Sequence, residues 1–298
     1  MHSFKPAKES PSALTVERPS HPSFPPFHIV PGVSNFRDIG GWPTRKGHVR
    51  TGVLFRGSDT NRIKDEGIAK LHQLNIKTEF DLRSKQQIEK TGGYRDFQGI
   101  DRVWAPVFTD EQYTEEAAKS RYELYASEGT EGIVVAFVEI LISGAPMFHI
   151  VLRQLLDTVS PGTSSQPPAL FMHCTTGNNR TGVFISLLLL LLGVPDEFVI
   201  KEYTLSDQGL APTRHMNIER LLNKGAFQEY GSEEARRKCE RMVGARAESM
   251  EALIKDVQTR WGGAEGYFQQ EVHLSSEDIM TLKEVFHVEG KSILDLKL

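Results

Sequence analysis

Short apolar runs alternate with helical patterns along most of the chain. Apolar or β-branched runs bounded by turn residues predict strands, at 49–58, 76–84, 102–108 and 169–174. Apolar residues at helical spacing predict helices, at 65–75, 109–127, 131–157, 181–193, 195–206 and 274–286. Strands that alternate with helices are typical of an α/β fold, in which helices flank a central, mainly parallel sheet.

Two segments have the composition of connecting chain. Residues 1–27 are rich in proline, serine and charge, which predicts a flexible N-terminal tail. The stretch SPGTSSQPP at 160–168 predicts a linker. We find no internal repeat, so the pattern indicates a single folded domain over 28–298. Ser275, followed by Asp278, forms a capping-box pattern at the start of the last helix.

Composition narrows the class of protein. The 298 residues are 39% hydrophobic and 25% charged, which is ordinary for a globular protein. The net charge of −4 gives no general attraction to nucleic acid or to anionic membranes, so we expect no nucleic-acid partner. The most apolar run, 183–194, is shorter than the roughly 20 residues that cross a bilayer, which predicts a buried core helix and no stable membrane insertion.

The cysteines and histidines suggest neither a disulfide framework nor a metal site. Cys174 and Cys239 are the two cysteines, and we expect both to be reduced thiols in a reducing compartment. The N-terminus lacks the apolar segment of a secretory signal, so the predicted location is cytoplasmic. The histidines are scattered without metal-ligand spacing, and we expect no metal or organic cofactor.

The segment FMHCTTGNNRTG at 171–182 carries the candidate chemistry. A predicted strand delivers Cys174 to the edge of the sheet, and a helix begins near Arg180. The turn between them can point its backbone N–H groups inward, which makes an anion nest at a helix N-terminus. The predicted phosphate-binding residues are Thr175, Thr176, Gly177, Asn178, Asn179 and Arg180.

Each polar side chain of this segment has an expected role. Cys174 is the candidate nucleophile, because the amides and the helix dipole favour its thiolate. Arg180 can grip two phosphate oxygens with its planar guanidinium. We expect His173 to bond the backbone and shape the loop, and Thr181 to place a hydroxyl near the sulfur. The alternative for Cys174 is a buried structural cysteine in a strand–turn–helix. Cys239 lies in RRKCERM, which has no such setting, and we assign it no role.

HCTTGNNRTG resembles the signature loop of the cysteine-dependent protein tyrosine phosphatases. SNFRDIGG (34–41), FDLRS (80–84) and the pattern after the loop are similar to an atypical group that includes bacterial secreted tyrosine and lipid phosphatases. The resemblance extends from about residue 28 to residue 288. It implies a single cysteine-phosphatase domain that hydrolyses phosphate monoesters, with the helical insertion at 109–157 forming a lid over the pocket.

The signature loop departs from the family pattern at two positions. The family loop usually reads HC-x-x-G-K-D-R-T-G, and here Asn178 and Asn179 replace the lysine and the aspartate. In the family, the lysine supports recognition of inositol phosphates and the aspartate is a candidate general acid. An asparagine supplies neither a positive charge nor a proton. The resemblance therefore leaves the general acid to be found elsewhere, or makes it unnecessary.

Several aspartates are candidates for that acid. Asp110 follows a predicted strand and precedes the predicted lid helix, where classical tyrosine phosphatases carry their mobile acid. Asp38 and Asp207 are rivals, and Gln208 could place the hydrolytic water. A helix cap or a salt bridge is the alternative role for each, above all for Asp38 and Asp81. Arg37 and Arg83 are expected as structural partners of these carboxylates.

Three functions remain open from the sequence. The first is a phosphatase for phosphotyrosine-type monoesters that works through a phosphocysteine intermediate. The second keeps the chemistry but uses a small-molecule or lipid-like phosphate or diphosphate, with the apolar segment 131–157 contacting a hydrophobic tail. The third is a pseudophosphatase that binds phosphorylated ligands without hydrolysing them.

Overall fold

A five-stranded sheet forms the centre of the protein. The structure is a computed structural model and describes residues 20–160, 167–292 and 294. The strands, in chain order, are β1 (Arg37–Asp38), β2 (Gly47–Val49), β3 (Leu54–Gly57), β4 (Ile76–Asp81), β5 (Asp101–Trp104), β6 (Ala169–His173) and β7 (His287–Glu289). The central sheet has the order β1-β3-β6-β4-β5, and β2 pairs separately with β7.

The central sheet is mainly parallel. β6 lies between β3 and β4 and runs parallel to both, β5 runs parallel to β4, and β1 alone is antiparallel to its neighbour β3. β3 and β6 are buried along their whole length, as expected of strands covered on both faces. The predicted strand at 49–58 is divided between β2 and β3, because the chain turns at Gly52, where φ is +73°.

Helices cover both faces of the sheet and fill the C-terminal part of the chain. They are α1 (Asp65–Gln73), α2 (Lys85–Lys90), α3 (Glu115–Ala126), α4 (Glu131–Thr158), α5 (Asn179–Leu191), α6 (Asp196–Leu210), α7 (Arg214–Asn223), α8 (Ser232–Val243), α9 (Ala247–Trp261), α10 (Ala264–Gln270) and α11 (Ser276–Phe286). The predicted capping box of Ser275 and Asp278 is present. The predicted α/β fold with a mainly parallel sheet flanked by helices is confirmed.

The apolar helix α5 lies at the centre of the core. Its residues from Thr181 to Leu189 are buried, and Phe184 stacks on Phe148 of α4 with ring centroids 4.3 Å apart. α4 is one helix of 28 residues, long and apolar enough by length and composition to cross a membrane. However, 44% of its most apolar window is buried in the protein, and core helices of globular proteins pass the same test. α4 and α5 therefore pack against each other in the core, and α5 begins at the end of the loop that follows β6.

Contacts with the folded domain extend to residues before position 28. Residues 1–19 and 161–166, which include most of the predicted tail and linker, lie outside the described residues. Phe27 is buried, and Phe24 packs edge-on against it with centroids 5.6 Å apart. The carbonyl of Pro26 accepts a hydrogen bond from the N–H of Asp38 at 3.0 Å. The last residues of the predicted tail thus contact the folded domain.

Candidate active site

The segment at 171–182 forms a tight loop between β6 and α5. Cys174 follows β6 directly, at the carboxyl edge of the parallel strands, where open α/β sheets place their ligand sites. Gly177 has a φ of +68°, and a Cβ at this position would lie 2.1 Å from the carbonyl oxygen of Gly57. Only glycine therefore fits the loop at position 177.

The surroundings of Cys174 favour its thiolate. The sulfur is buried, and burial alone would raise the pKa of Cys174. The Arg180 guanidinium, the hydroxyl and N–H of Thr181 and the N–H of Gly177 together outweigh this effect. The pKa of Cys174 therefore lies below its usual value. Among the described residues, the buried Thr181 hydroxyl has no other polar partner, which leaves it available to the sulfur.

Arg180 is held in part by Gln87, a side chain for which the sequence predicted no role. Its guanidinium donates to Gln87 Oε1 at 2.5 Å, to Thr175 Oγ1 at 3.3 Å and to the carbonyl of Leu82 at 3.4 Å. Gln87 also completes a capping box with Ser84 at the start of α2. The sequence signal for this contact was the S-x-x-Q spacing that follows the DLR segment.

His173 connects the loop to a buried charge network. Its Nδ1 lies 3.0 Å from the carbonyl oxygen of Cys174, and its Nε2 lies 2.8 Å from Glu79 Oε1. Burial opposes protonation of this ring, but Asp81 and Glu79 outweigh burial and raise the pKa of His173. A protonated ring donates at both nitrogens, so it can hold the carbonyl and the carboxylate together. Glu79 was not singled out from the sequence.

Asp81 is part of this network and is not free for proton transfer. Its carboxylate accepts from Arg83 Nη2 at 2.7 Å and from Arg102 Nη2 at 2.6 Å. Burial acts to raise the pKa of Asp81, but His173, Arg83 and Arg102 together hold it well below its usual range. The predicted pairing of Arg83 with a carboxylate is confirmed, and that carboxylate is Asp81. The Asp81 side chain is therefore a structural anchor beneath the loop.

The three aspartates considered as general acids do not line the pocket above Cys174. Asp110 is exposed in the turn before α3. Asp38 is buried, accepts from the N–H groups of Gly40 and Gly52 at 2.8 and 2.6 Å, and has its pKa raised by burial to about 6. Asp207 accepts from the N–H of Ala245 at 3.0 Å and pairs with an arginine.

Arg37 pairs with a carboxylate other than those predicted. Its Nε lies 2.7 Å from Glu202 Oε1, and Arg56 Nη1 lies 2.6 Å from Glu202 Oε2. Arg56 also donates to the carbonyl of Gly177 at 2.5 Å. These buried groups connect β1, β3 and α6 to the underside of the signature loop. Arg56 and Glu202 lie in apolar or helical sequence that gave no signal of this contact.

The asparagines that replace the family lysine and aspartate occupy different surroundings. Asn178 is buried and donates from Nδ2 to the carbonyl of Gly244 at 3.3 Å, which connects the loop to the segment after α8. Asn179 begins α5 and is partly exposed. The Oδ1 atoms of both side chains are buried without a hydrogen-bond partner in the described part of the chain.

A pocket of about 530 Å³ opens above Cys174. Aromatic side chains form much of its wall, namely Phe108, Tyr113, Tyr122, Tyr125 and Phe227. The predicted phosphate-binding residues line it except Gly177, which faces Gly57. Among the described residues of its lining, Glu115 is the carboxylate, and α3 contributes to the wall whereas α4 does not. The segment 131–157, expected to contact a hydrophobic substrate tail, therefore contributes no residue to the described lining of this pocket.

Comparison with known proteins identifies the family of this chain. The model of the tyrosine phosphatase family matches residues 28–288. The triple specificity protein phosphatase PtpB of Mycobacterium tuberculosis is 26% identical over 261 residues, covering 80% of this chain and 92% of that protein. A tyrosine-protein phosphatase of Nostoc commune is 26% identical over 234 residues, covering 78% of this chain and 73% of that protein.

A solved structure was also similar. The core catalytic domain of the PP-IP phosphatase SIW14 from S. cerevisiae is 17% identical and covers 61% of this chain and 93% of that chain, with a TM-score of 0.29. This score is too low to support an argument, whereas the family model covers most of the chain. The resemblance stated from the sequence is confirmed: the chain belongs to the tyrosine phosphatase family and is a hydrolase of phosphate monoesters.

Proposed function

We propose that the protein hydrolyses phosphotyrosine-type monoesters through a phosphocysteine intermediate formed on Cys174. The Cys174 thiolate attacks the phosphorus in line, the S–P bond forms, and the bond from phosphorus to the ester oxygen breaks with its electron pair on the departing oxygen. Water then attacks the same phosphorus, the S–P bond breaks, and inorganic phosphate leaves with the thiolate restored. The placement of Cys174 directly after β6, in one pocket with Arg180, carries this proposal, and the lowered pKa of the thiol agrees with it.

The loop supplies the electrostatic help that this reaction needs. The N–H groups of the turn and the Arg180 guanidinium surround the position of the phosphate oxygens, where charge is greatest in the transition state. Arg180 must exchange its bond to Gln87 for bonds to phosphate as the substrate enters. The Thr181 hydroxyl stabilises the sulfur anion when the S–P bond breaks.

The missing acid in the loop points to aryl esters. Asn179 has no proton to give, and Asp110 is outside the pocket. A phenolate leaves without full protonation more readily than an alkoxide, and the aromatic wall formed by Tyr122, Tyr125 and Phe227 suits an aryl group. We therefore propose that aryl phosphates are hydrolysed faster than alkyl phosphates. Because Cys174 must stay a free thiol, we also propose a reducing, cytoplasmic location.

A substrate panel with rapid quench tests this function. We expect p-nitrophenyl phosphate to give a cysteine-bound phosphoryl group on wild-type protein and none on Cys174→Ser, which should lose turnover. Asn179→Asp places a carboxylic acid at the start of α5 and should raise kcat for an alkyl phosphate more than for p-nitrophenyl phosphate.

The outcomes separate the remaining alternatives. Tight binding of aryl phosphates with no product and no phosphocysteine would show a pseudophosphatase. Turnover that survives Cys174→Ser would overturn the nucleophile. An equal effect of Asn179→Asp on both ester classes would show that leaving-group protonation does not limit the wild-type enzyme.

A further inference from the structure

Uncompensated cations line one side of the pocket. Lys90 is the last residue of α2, Arg220 lies in α7, and Lys224 follows the end of α7. Among the described residues, no carboxylate forms an ion pair with any of the three. The other pocket cations are engaged, since Arg121 pairs with Glu139 at 2.7 Å and Lys119 lies 3.4 Å from Glu229.

These cations are close enough to repel one another. Partial burial lowers the pKa of Lys224, and Arg220 and Lys90 lower it further. α2 and α7 are distant in the sequence, but they bring these three positive charges together. Among the described residues, no carboxylate forms an ion pair with them there. An anion bound among the three side chains would relieve this repulsion.

The cationic side of the pocket is continuous with the phosphate loop. Tyr122 is close enough to Arg180 of the loop and to Arg220 of α7 for both charges to act on its hydroxyl. Burial raises the pKa of Tyr122 to about 12, and Arg180 and Arg220 both oppose that rise. One phosphate in the loop would engage Arg180 and leave Lys90, Arg220 and Lys224 without a partner.

We propose that Lys90, Arg220 and Lys224 form a subsite for a second phosphoryl group on the substrate whose first phosphate occupies the loop. The inference rests on the proposed function, because it assigns substrate selectivity to the same pocket. Guanidinium and ammonium groups bind phosphate through charge-assisted hydrogen bonds. Asn178 supplies no charge to the loop, so selectivity for a second phosphate comes from α2 and α7. The second group can be carried by a phosphorylated residue beside phosphotyrosine or by a small aryl bisphosphate.

Paired substrates measure this selectivity. One pair is a phosphotyrosine peptide with an adjacent serine, either free or phosphorylated, and the other is an aryl monophosphate and the matching bisphosphate. The readout is the ratio of kcat/KM for the doubly to the singly phosphorylated member, taken within each variant. Lys224→Ala, Arg220→Ala and Lys90→Ala test the subsite. Lys85→Ala is the matched control, since Lys85 is exposed on the same helix as Lys90 and does not line the pocket.

We expect wild-type protein to favour the doubly phosphorylated member of at least one pair. Arg220→Ala should lower that ratio roughly tenfold, since it removes the charge-assisted hydrogen bonds of the guanidinium to the second phosphate. The lysine variants should lower it less, and Lys85→Ala should leave it unchanged. The wild-type ratio should also fall as salt is added.

The readouts separate this inference from the proposed function. A preference limited to the peptide pair identifies a phosphoprotein as the source, and a preference limited to the aryl pair identifies a small molecule. Wild-type ratios near one for both pairs, or equal ratios in Arg220→Ala and Lys85→Ala, would overturn the subsite. In that case p-nitrophenyl phosphate turnover with a phosphocysteine still supports the proposed function, whereas its absence defeats both.

Discussion

At the scale of single residues, the two thiols of this chain show how surroundings set reactivity. Cys174 and Cys239 are both buried and free. Burial raises the pKa of Cys239 to about 11, and nearby Arg236 opposes that rise without cancelling it. At Cys174, Arg180 and the groups of Thr181 and Gly177 overcome burial and lower the pKa of the thiol. The same side chain therefore loses its proton more readily at position 174 than at position 239.

Alkylation with iodoacetamide tests this contrast within one molecule. The thiolate reacts, so the alkylation rate of Cys174 should fall only as pH drops through its lowered pKa, and Cys239 should stay unmodified at neutral pH. Mass spectrometry of digested protein measures both sites. Phosphate should protect Cys174, and Arg180→Ala should move its midpoint to higher pH. Equal alkylation midpoints at the two cysteines would contradict the lowered pKa.

At the scale of elements, α2 connects helix capping to the phosphate site. Ser84 caps the helix by accepting from the N–H of Gln87, and the Gln87 side chain accepts in turn from the N–H of Ser84 and from Arg180. The start of this short helix therefore fixes the acceptor that orients the arginine. α5 contributes from the other side, because its buried face holds the loop rigidly against the core.

Gln87→Glu separates the capping role from the arginine contact. A glutamate preserves the capping box, so we expect the melting temperature to change little. Its negative charge should hold Arg180 and oppose phosphate, raising KM for p-nitrophenyl phosphate roughly tenfold. Gln86→Glu is the control, since Gln86 lines the same pocket and makes no described contact with Arg180. Equal KM values for the two variants would remove Gln87 from the positioning of Arg180.

At the scale of the whole molecule, one buried carboxylate connects distant parts of the chain. Glu202 of α6 holds Arg37 of β1 and Arg56 of β3, and Arg56 reaches the carbonyl of Gly177. Burial acts to raise the pKa of Glu202, but Arg37 and Arg56 outweigh burial and lower it. The stability from this carboxylate is therefore fully present above its unfolded pKa and is lost as pH falls through the lower folded value.

Glu202→Gln should expose the size of this contribution. The substitution leaves two buried guanidinium groups uncompensated, so we expect the free energy of unfolding at pH 7 to fall by about 3–5 kcal/mol. The loss of stability on acidification should also become shallower than in wild-type protein. Urea unfolding between pH 3 and about 7 measures both effects. Glu197→Gln on the exposed side of α6 should cost less than about 1 kcal/mol. A similar cost for both variants would disprove the role of the buried cluster.

The sequence by itself determined the elements and the nucleophilic loop of this protein. Hydrophobic periodicity and turn residues are local properties, so they predicted β4, β6, α1, α5 and α11 and the capping box of α11. The order of cysteine, glycine and arginine in a strand–turn–helix is local as well, and with the neighbouring motifs it indicated the family.

The tertiary structure decided which distant side chains meet at that loop. Gln87, Arg56 and Glu202 are separated from Cys174 along the chain by whole strands and helices, and only the order of the strands and the packing of α2 and α6 bring them together. Packing also placed Asp110 outside the pocket and brought Lys90 and Lys224 to its wall. Local patterns carry no information on such contacts, because charged and amide side chains have similar propensities whether they face solvent or a buried partner.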